Sequence, residues 1–428
     1  MLKAFLNAFR VPDLRAKILF SLLIIAVFRL GSYVPVPVVD VGILKRAIED
    51  QSRGGFLDII NLFSGGGLSH LSIFSLGIMP YITSSIIMQL MTVVIPKLQQ
   101  WQEQGETGTK KINQWTRYVT VVLALLQSTG LVFLFHNPAA SQFPDVFRAG
   151  TFTGANVAFI VLIMTAGTAF IMWLGELITQ RGVGNGMSIL IFTSVISRLP
   201  AEGSAILAQG GTGKFIAILL IGVGIVIAVI YVDQGQRRVP IQYAKRVVGR
   251  KMTSGGSTYL PMKVNQAGVI PIIFATSVLY FPALLASVYH AEWFTNFVTN
   301  HLRSQRSLVY MFALAMLIIF FSYFYTQISF DPARTADNLR KNGGFIPGIR
   351  PGPPTADYLN RIMIRIGLPG AIFLAVIALI PTVVLAFWAI QQFPFGGTSI
   401  LIAVGVALET MKQIESQLLM RHYEGFLG

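Results

Sequence analysis

The groups that could do chemistry in this chain are sparse, and most stand where chemistry is hard to perform. The 428 residues contain no cysteine, which removes disulfides, thiolate metal sites and cysteine nucleophiles. The five histidines (His70, His136, His290, His301 and His422) fall outside the apolar segments or at their edges, and neither HExxH nor GxSxG occurs. Gly210 to Lys214 reads GGTGK, but a phosphate-binding loop needs glycine where Ala208 stands and Ser or Thr where Phe215 stands, so the match is chance. Three charged residues, Arg29, Glu176 and Glu409, lie within or near apolar runs. Arg29 should cost about 2.5–3.5 kcal/mol at a bilayer centre, so it is expected to face protein. The glutamates sit toward the cytoplasmic ends of their runs, where structural pairing is expected. The mid-membrane region therefore lacks acidic groups. No catalytic residue, metal or cofactor is expected, and the chain is not expected to be an enzyme.

Two other constellations remain. The first is basic. Residues 233–265 contain GQRRVPIQYAKRVVGRK, with Arg237, Arg238, Lys245, Arg246 and Arg250, and Val239, Ile241 and Tyr243 alternate as in a strand of a projecting hairpin. Residues 331–365 contain FIPGIRPGPPT, whose prolines and glycines hold Arg350 at a rigid tip. Such loops suit anionic lipid, at about 1 kcal/mol per basic residue near the surface, or a large anionic partner. The rigid presentation of Arg350 favours the partner.

The second constellation is aliphatic, and the elements that position it come from composition. Hydrophobic residues make up 54% of the chain and charged residues 12%, with a mean hydropathy of +0.65, against about 25% charged in ordinary globular domains. This is an all-α polytopic membrane protein. Ten apolar segments recur at roughly 18–35, 71–95, 117–135, 156–178, 185–200, 215–232, 268–290, 308–330, 366–390 and 398–412. Placing both termini in the cytoplasm puts 24 of the 33 Lys and Arg inside and 8 outside, Arg29 completing the total, which accounts for the net charge of +15 without nucleic acid. Arg29 and the following PVPVV offer no signal-peptidase pattern, so the first span is expected to be retained. Leu2, Phe5, Leu6 and Phe9 share one face of a helix over residues 1–10, as where a chain enters a membrane. Residues 201–214 read as a flexible external connector between halves 1–200 and 215–428. Five spans per half forces the second half to be inverted.

Residues 54–95 meet the membrane region twice. FLDIINLF, residues 56–63, has 8 residues before Ser64 and the Gly65, Gly66, Gly67 run, whereas a span needs about 20. It can dip in but not cross, and should sit inside a helix bundle unless it lies on the membrane surface. In the next span Ile78, Ile82 and Ile86 repeat on one face. Gly182, Gly184 and Gly186, Pro271, and Gly396 and Gly397 weaken later spans at matching depth, and Met187, Ile191, Ile273 and Ile402 just beyond them could converge with Ile78 and Ile82. Each alone reads as ordinary core.

The chain resembles the SecY family, channel subunits of the bacterial secretion translocon, over essentially its whole length. The resemblance rests on FRLGSYVPVPVVD (28–40), NLFSGGGLSHLSIFSLGIMPYITSSIIMQL (61–90), WLGELITQRGVGNGMSI (173–189), GQRRVPIQYAKR (235–246) and DPARTADNLRKNGGFIPGIRPGPPT (331–355). Val38 stands where the family usually has glycine, and Met187 where it usually has isoleucine. The resemblance implies a plug over about residues 56–68, including Phe56, Leu57, Ile59, Ile60, Leu62, Phe63, Gly65, Gly66 and Gly67. It implies a pore ring of Ile78, Ile82, Met187, Ile191, Ile273 and Ile402, and a lateral gate between spans two and seven. It also implies SecE and SecG subunits, the SecA motor and the ribosome as partners docking on the basic loops, secretory polypeptides as substrate, and a bacterial plasma membrane. A secondary transporter with inverted repeats is the competing reading, but it needs polar groups at mid-membrane; a membrane-embedded enzyme comes third.

Overall fold

A computed structural model describes residues 11–44, 61–136, 146–148, 152–243, 246–248, 251–253, 256–288, 292–302, 307–388 and 397–427. The amphipathic stretch 1–10, the plug residues Phe56, Leu57, Ile59 and Ile60, and Lys245, Arg250 and Gly396 lie outside them. The fold is mostly helical, and an α-helix underlies each of the ten apolar segments. In order these are α1 (Pro12–Gly31), α2 (Met79–Val94), the short α3 (Pro96–Glu103), α4 (Glu106–His136), α5 (Gly154–Arg181), α6 (Gly186–Gln234), α7 (Ile270–Val288), the short α8 (Glu292–Phe297), α9 (Leu308–Ser329), α10 (Pro332–Lys341), α11 (Pro353–Trp388) and α12 (Gly397–Leu427). Among the described residues five helices are individually long and apolar enough to cross a membrane, with a sixth if the bent pair α2–α3 counts as one.

Three departures from the sequence reading have local causes. Residues 71–78 are turns, not helix, so the second span starts at Met79; Gly77 takes a left-handed φ of 56° and Leu71 one of 38°, and Pro80 sits in the first turn, where its missing N–H costs nothing. Pro271 likewise stands at the start of α7 and does not interrupt it, the internal proline being Pro282. The expected flexible connector is helical: α6 runs through residues 201–214 and breaks its helical geometry at Gly211, with φ 71° and ψ 173°.

Each half builds its own apolar core. One joins Val36, Leu68, Leu71, Ala124, Phe135, Ile160 and Met164 from the N-terminal half, and another joins Ile225, Ile272, Leu314, Ile318, Leu374 and Leu401 from the C-terminal half. The expected hairpin forms: β1 (Gln236–Tyr243) pairs antiparallel with β4 (Ser257–Lys263), Val239 opposite Leu260, and Val239 and Ile241 are buried on one face. A small hairpin of β2 (Arg246–Val248) and β3 (Lys251–Thr253) continues its tip. The sheet gains a third strand that periodicity did not announce, β5 (Gly344–Phe345) from the second basic loop, paired with β1.

Candidate functional site

A third apolar cluster draws on both halves. It contains Ile78, Met187, Ile191, Ile273 and Ile402, all buried, with Ile82 packed against it half-buried. All six aliphatic positions singled out by the sequence therefore enter one cluster. Phe63 joins them at 1% exposed, with Leu62 at its edge, so the end of the FLDIINLF stretch belongs to the same body. Gly77 enforces that contact: a Cβ there would collide with the Phe63 carbonyl and the Ser64 Cα, quite apart from its left-handed φ.

Local chemistry delivers these side chains. Ile78 caps α2 at its N-terminus. Met187 begins α6, where the Asn185 side chain accepts from the Met187 and Ser188 amides at 3.1 and 3.4 Å, a standard N-cap. A Cβ on Gly186 would strike the Gly175 carbonyl, and one on Gly175 would strike the Met187 sulfur, so the two glycines let α5 and α6 approach closely enough to seat Met187. Ile273 stands in the first turn of α7 and Ile402 in the second turn of α12.

The triple-glycine turn is firmly organised, contrary to the slack tether its composition suggests. Gly65 and Gly66 both adopt left-handed φ (65° and 89°), and the Gly66 amide donates to the Asn61 carbonyl at 2.9 Å. The Ser64 hydroxyl accepts from the Leu68 amide at 3.1 Å, and Asn61 Nδ2 donates to Ser69 Oγ at 2.8 Å. Arg29 reaches this turn, its Nη1 donating to the Gly65 carbonyl at 2.7 Å, so the intramembrane cation faces protein as expected. Glu176 pairs as expected too, in a two-pronged bond to Arg117 at 2.6 and 2.7 Å that ties α4 to α5. Glu409 is exposed.

The SecY family profile matches residues 72–411. A protein translocase subunit SecY from Streptomyces coelicolor is 52% identical over 440 aligned positions, with 100% of both chains covered. This chain belongs to the SecY family. Two solved structures share the fold. One concerns the plug domain of the SecY protein, said there to stabilise the closed state of the translocation channel and maintain a membrane seal; it is 17% identical, covers 94% of this chain and 92% of its own, and superposes with a TM-score of 0.61. The other is Sec61 in the canine ribosome–channel complex from the endoplasmic reticulum, 15% identical over 94% and 92% of the two chains, with a TM-score of 0.62.

In this SecY-family chain the docking candidates that are described, Arg237, Arg238, Arg246 and Arg350, stand on one loop unit. Arg237 and Arg238 are exposed on β1, and Arg246 starts β2. Arg350 is exposed in the turn between β5 and α11; its carbonyl accepts from Thr355 Oγ1 at 2.9 Å, while buried Ile346 anchors the turn in a cluster with Val239, Met262 and Leu359. An open cleft of about 770 Å3 between α3 and α10 is lined by Gln99, Glu103, Asp331, Arg334 and Asn338. The sequence reading missed Asn61, Ser69 and Ser197 as partners of the glycine turn and Arg29. Their types are ordinary, and Arg29 and Ser197 lie 168 positions apart.

Proposed function

We propose that this chain is the central subunit of a protein-conducting channel in a bacterial plasma membrane, not an enzyme. It passes unfolded secretory polypeptides outward and releases apolar segments sideways between α2 and α7. The observation that carries this reading is the mixed cluster in which five buried aliphatic side chains, half-buried Ile82 and Phe63 of the short segment pack together from both halves. A constriction lined this way expels water, and ions cannot follow. The same side chains can yield around an extended polypeptide, because they offer only dispersion contacts of about 0.1–0.2 kcal/mol per atom pair and no hydrogen bonds that must break. Residues 56–68 act as the plug that closes this ring, and Met187, flexible and polarisable, makes it softer than an all-isoleucine ring.

The basic loop unit is the docking surface for the SecA motor and the ribosome, the latter in line with the ribosome-bound relative of the same fold. SecE and SecG complete the complex, and both termini face the cytoplasm. A secondary transporter fits less well, since its substrate and ions need polar groups where this cluster is apolar. Deleting residues 57–67 tests the reading: the assembled complex in a planar bilayer should conduct ions without substrate, and a tight seal would remove the plug assignment.

A further inference from the structure

We propose that Arg29 is the positioning residue that keeps the plug seated, and that through this hold it sets how stringently the channel selects its substrates. The inference rests on reading residues 56–68 as a plug. Arg29 stands two residues before the end of α1 and joins three parts of the chain: Nη1 donates to the Gly65 carbonyl at 2.7 Å and to Ser197 Oγ at 2.9 Å, and Nη2 donates to Tyr33 Oη at 3.0 Å. Two of these contacts lie off the plug and aim the guanidinium. Ser197 gives its own proton to the Ser194 carbonyl at 2.8 Å, which leaves its lone pairs for Arg29. Tyr33 accepts with its hydroxyl, and its ring centroid lies 5.2 Å from Arg29 Cζ.

The third contact is the one that breaks when the plug leaves. All three acceptors are neutral, and among the described residues no carboxylate pairs with Arg29. The hold on Gly65 is therefore a charge-assisted hydrogen bond at the edge of a poorly hydrated region, where a cation that loses an acceptor is costly. Because the acceptor is a backbone carbonyl, the bond depends on the left-handed turn at Gly65, which aims that oxygen, and on no side chain of the plug. Arg29 interacts with the seated plug and not with the displaced one, so it biases the equilibrium toward the closed state. A substrate must supply that difference to open the channel, and weak signal sequences fail to.

The test uses the full-length chain in its assembled complex, reconstituted in planar bilayers, with the deletion of residues 57–67 as reference. Arg29→Gln should raise substrate-free conductance roughly tenfold, the ratio that loss of one charge-assisted bond supports. Arg29→Lys, which keeps a cation but not the fork, should fall between. Export of a secretory protein with a defective signal sequence should rise in the same order, a readout that general destabilisation would not produce. Where Arg29→Gln fails to assemble, Tyr33→Phe combined with Ser197→Ala keeps the cation, removes its two supports and should leak in the same direction. If the deletion leaks while Arg29→Gln and the double variant stay sealed and stringent, the hold is wrong and the plug stands. If the deletion itself stays sealed, both fall.

Discussion

Replacing Ile402 by Asn puts an amide into a position 1% exposed and surrounded by apolar side chains. A buried amide without partners costs about 1–3 kcal/mol, a cost relieved by admitting water, so the closed state should weaken. Ile402→Asn should raise substrate-free conductance and admit proteins with defective signal sequences, whereas Ile402→Leu, a volume-conserving swap, should do little. Equal conductance for the two variants would return these residues to ordinary bundle core. Val38 gives the opposite case of a side chain in an unsuitable place. It stands where the family usually has glycine, and its φ is 76°, a region that β-branched residues avoid at about 1–2 kcal/mol. Val38→Gly should leave the fold intact and raise the thermal midpoint modestly, since relieved strain slightly exceeds the entropy lost by glycine. A lower midpoint would show that the Val38 side chain contributes more through contact than its backbone loses.

At the scale of elements, the pairing of α4, α5 and α6 seats Met187. Gly186→Ala should force α5 and α6 apart, because its Cβ meets the Gly175 carbonyl, and should cost about 1–3 kcal/mol of stability in a detergent melt while displacing Met187 and increasing leak. The Arg117–Glu176 bond supports the same wall. Glu176→Gln should lower stability by about 1.5–3 kcal/mol without changing conductance, since the pair is not part of the apolar cluster. A leak as large as that of Gly186→Ala would mean that the pair, too, sets the ring. Gly186 and Glu176 were legible as packing and pairing positions because residues that weaken a helix or charge a membrane need a reason to be there, whereas Gly175 gave no such signal. The start of α2 was not legible, since Leu71 to Ile78 is apolar enough to extend the helix, and the left-handed backbone at Leu71 and Gly77 and the close approach of Gly77 to Phe63 appear only in the tertiary structure.

Across the whole molecule, β5 stitches the second basic loop to the hairpin of the first, so Arg350 and the Arg237–Arg238 pair belong to one rigid unit. Arg350→Glu should block motor-driven or ribosome-driven export by reversing charge at that unit's tip, while membrane insertion and the thermal midpoint stay near wild type; normal secretion would remove the docking assignment. The helices beneath the apolar segments and a protein-facing Arg29 followed from the sequence alone, because a bilayer imposes length and apolarity on any chain that crosses it and makes an unpartnered cation costly. Convergence of Ile78, Ile82, Met187, Ile191, Ile273 and Ile402 did not follow from it, since an isoleucine facing lipid and one facing a constriction have the same pattern. Nor did the Arg29–Gly65 bond, which joins a side chain to a backbone carbonyl and leaves no residue-type signal at its acceptor. Those were decided by the tertiary structure, which alone brings α1, the glycine turn and α6 within hydrogen-bond reach.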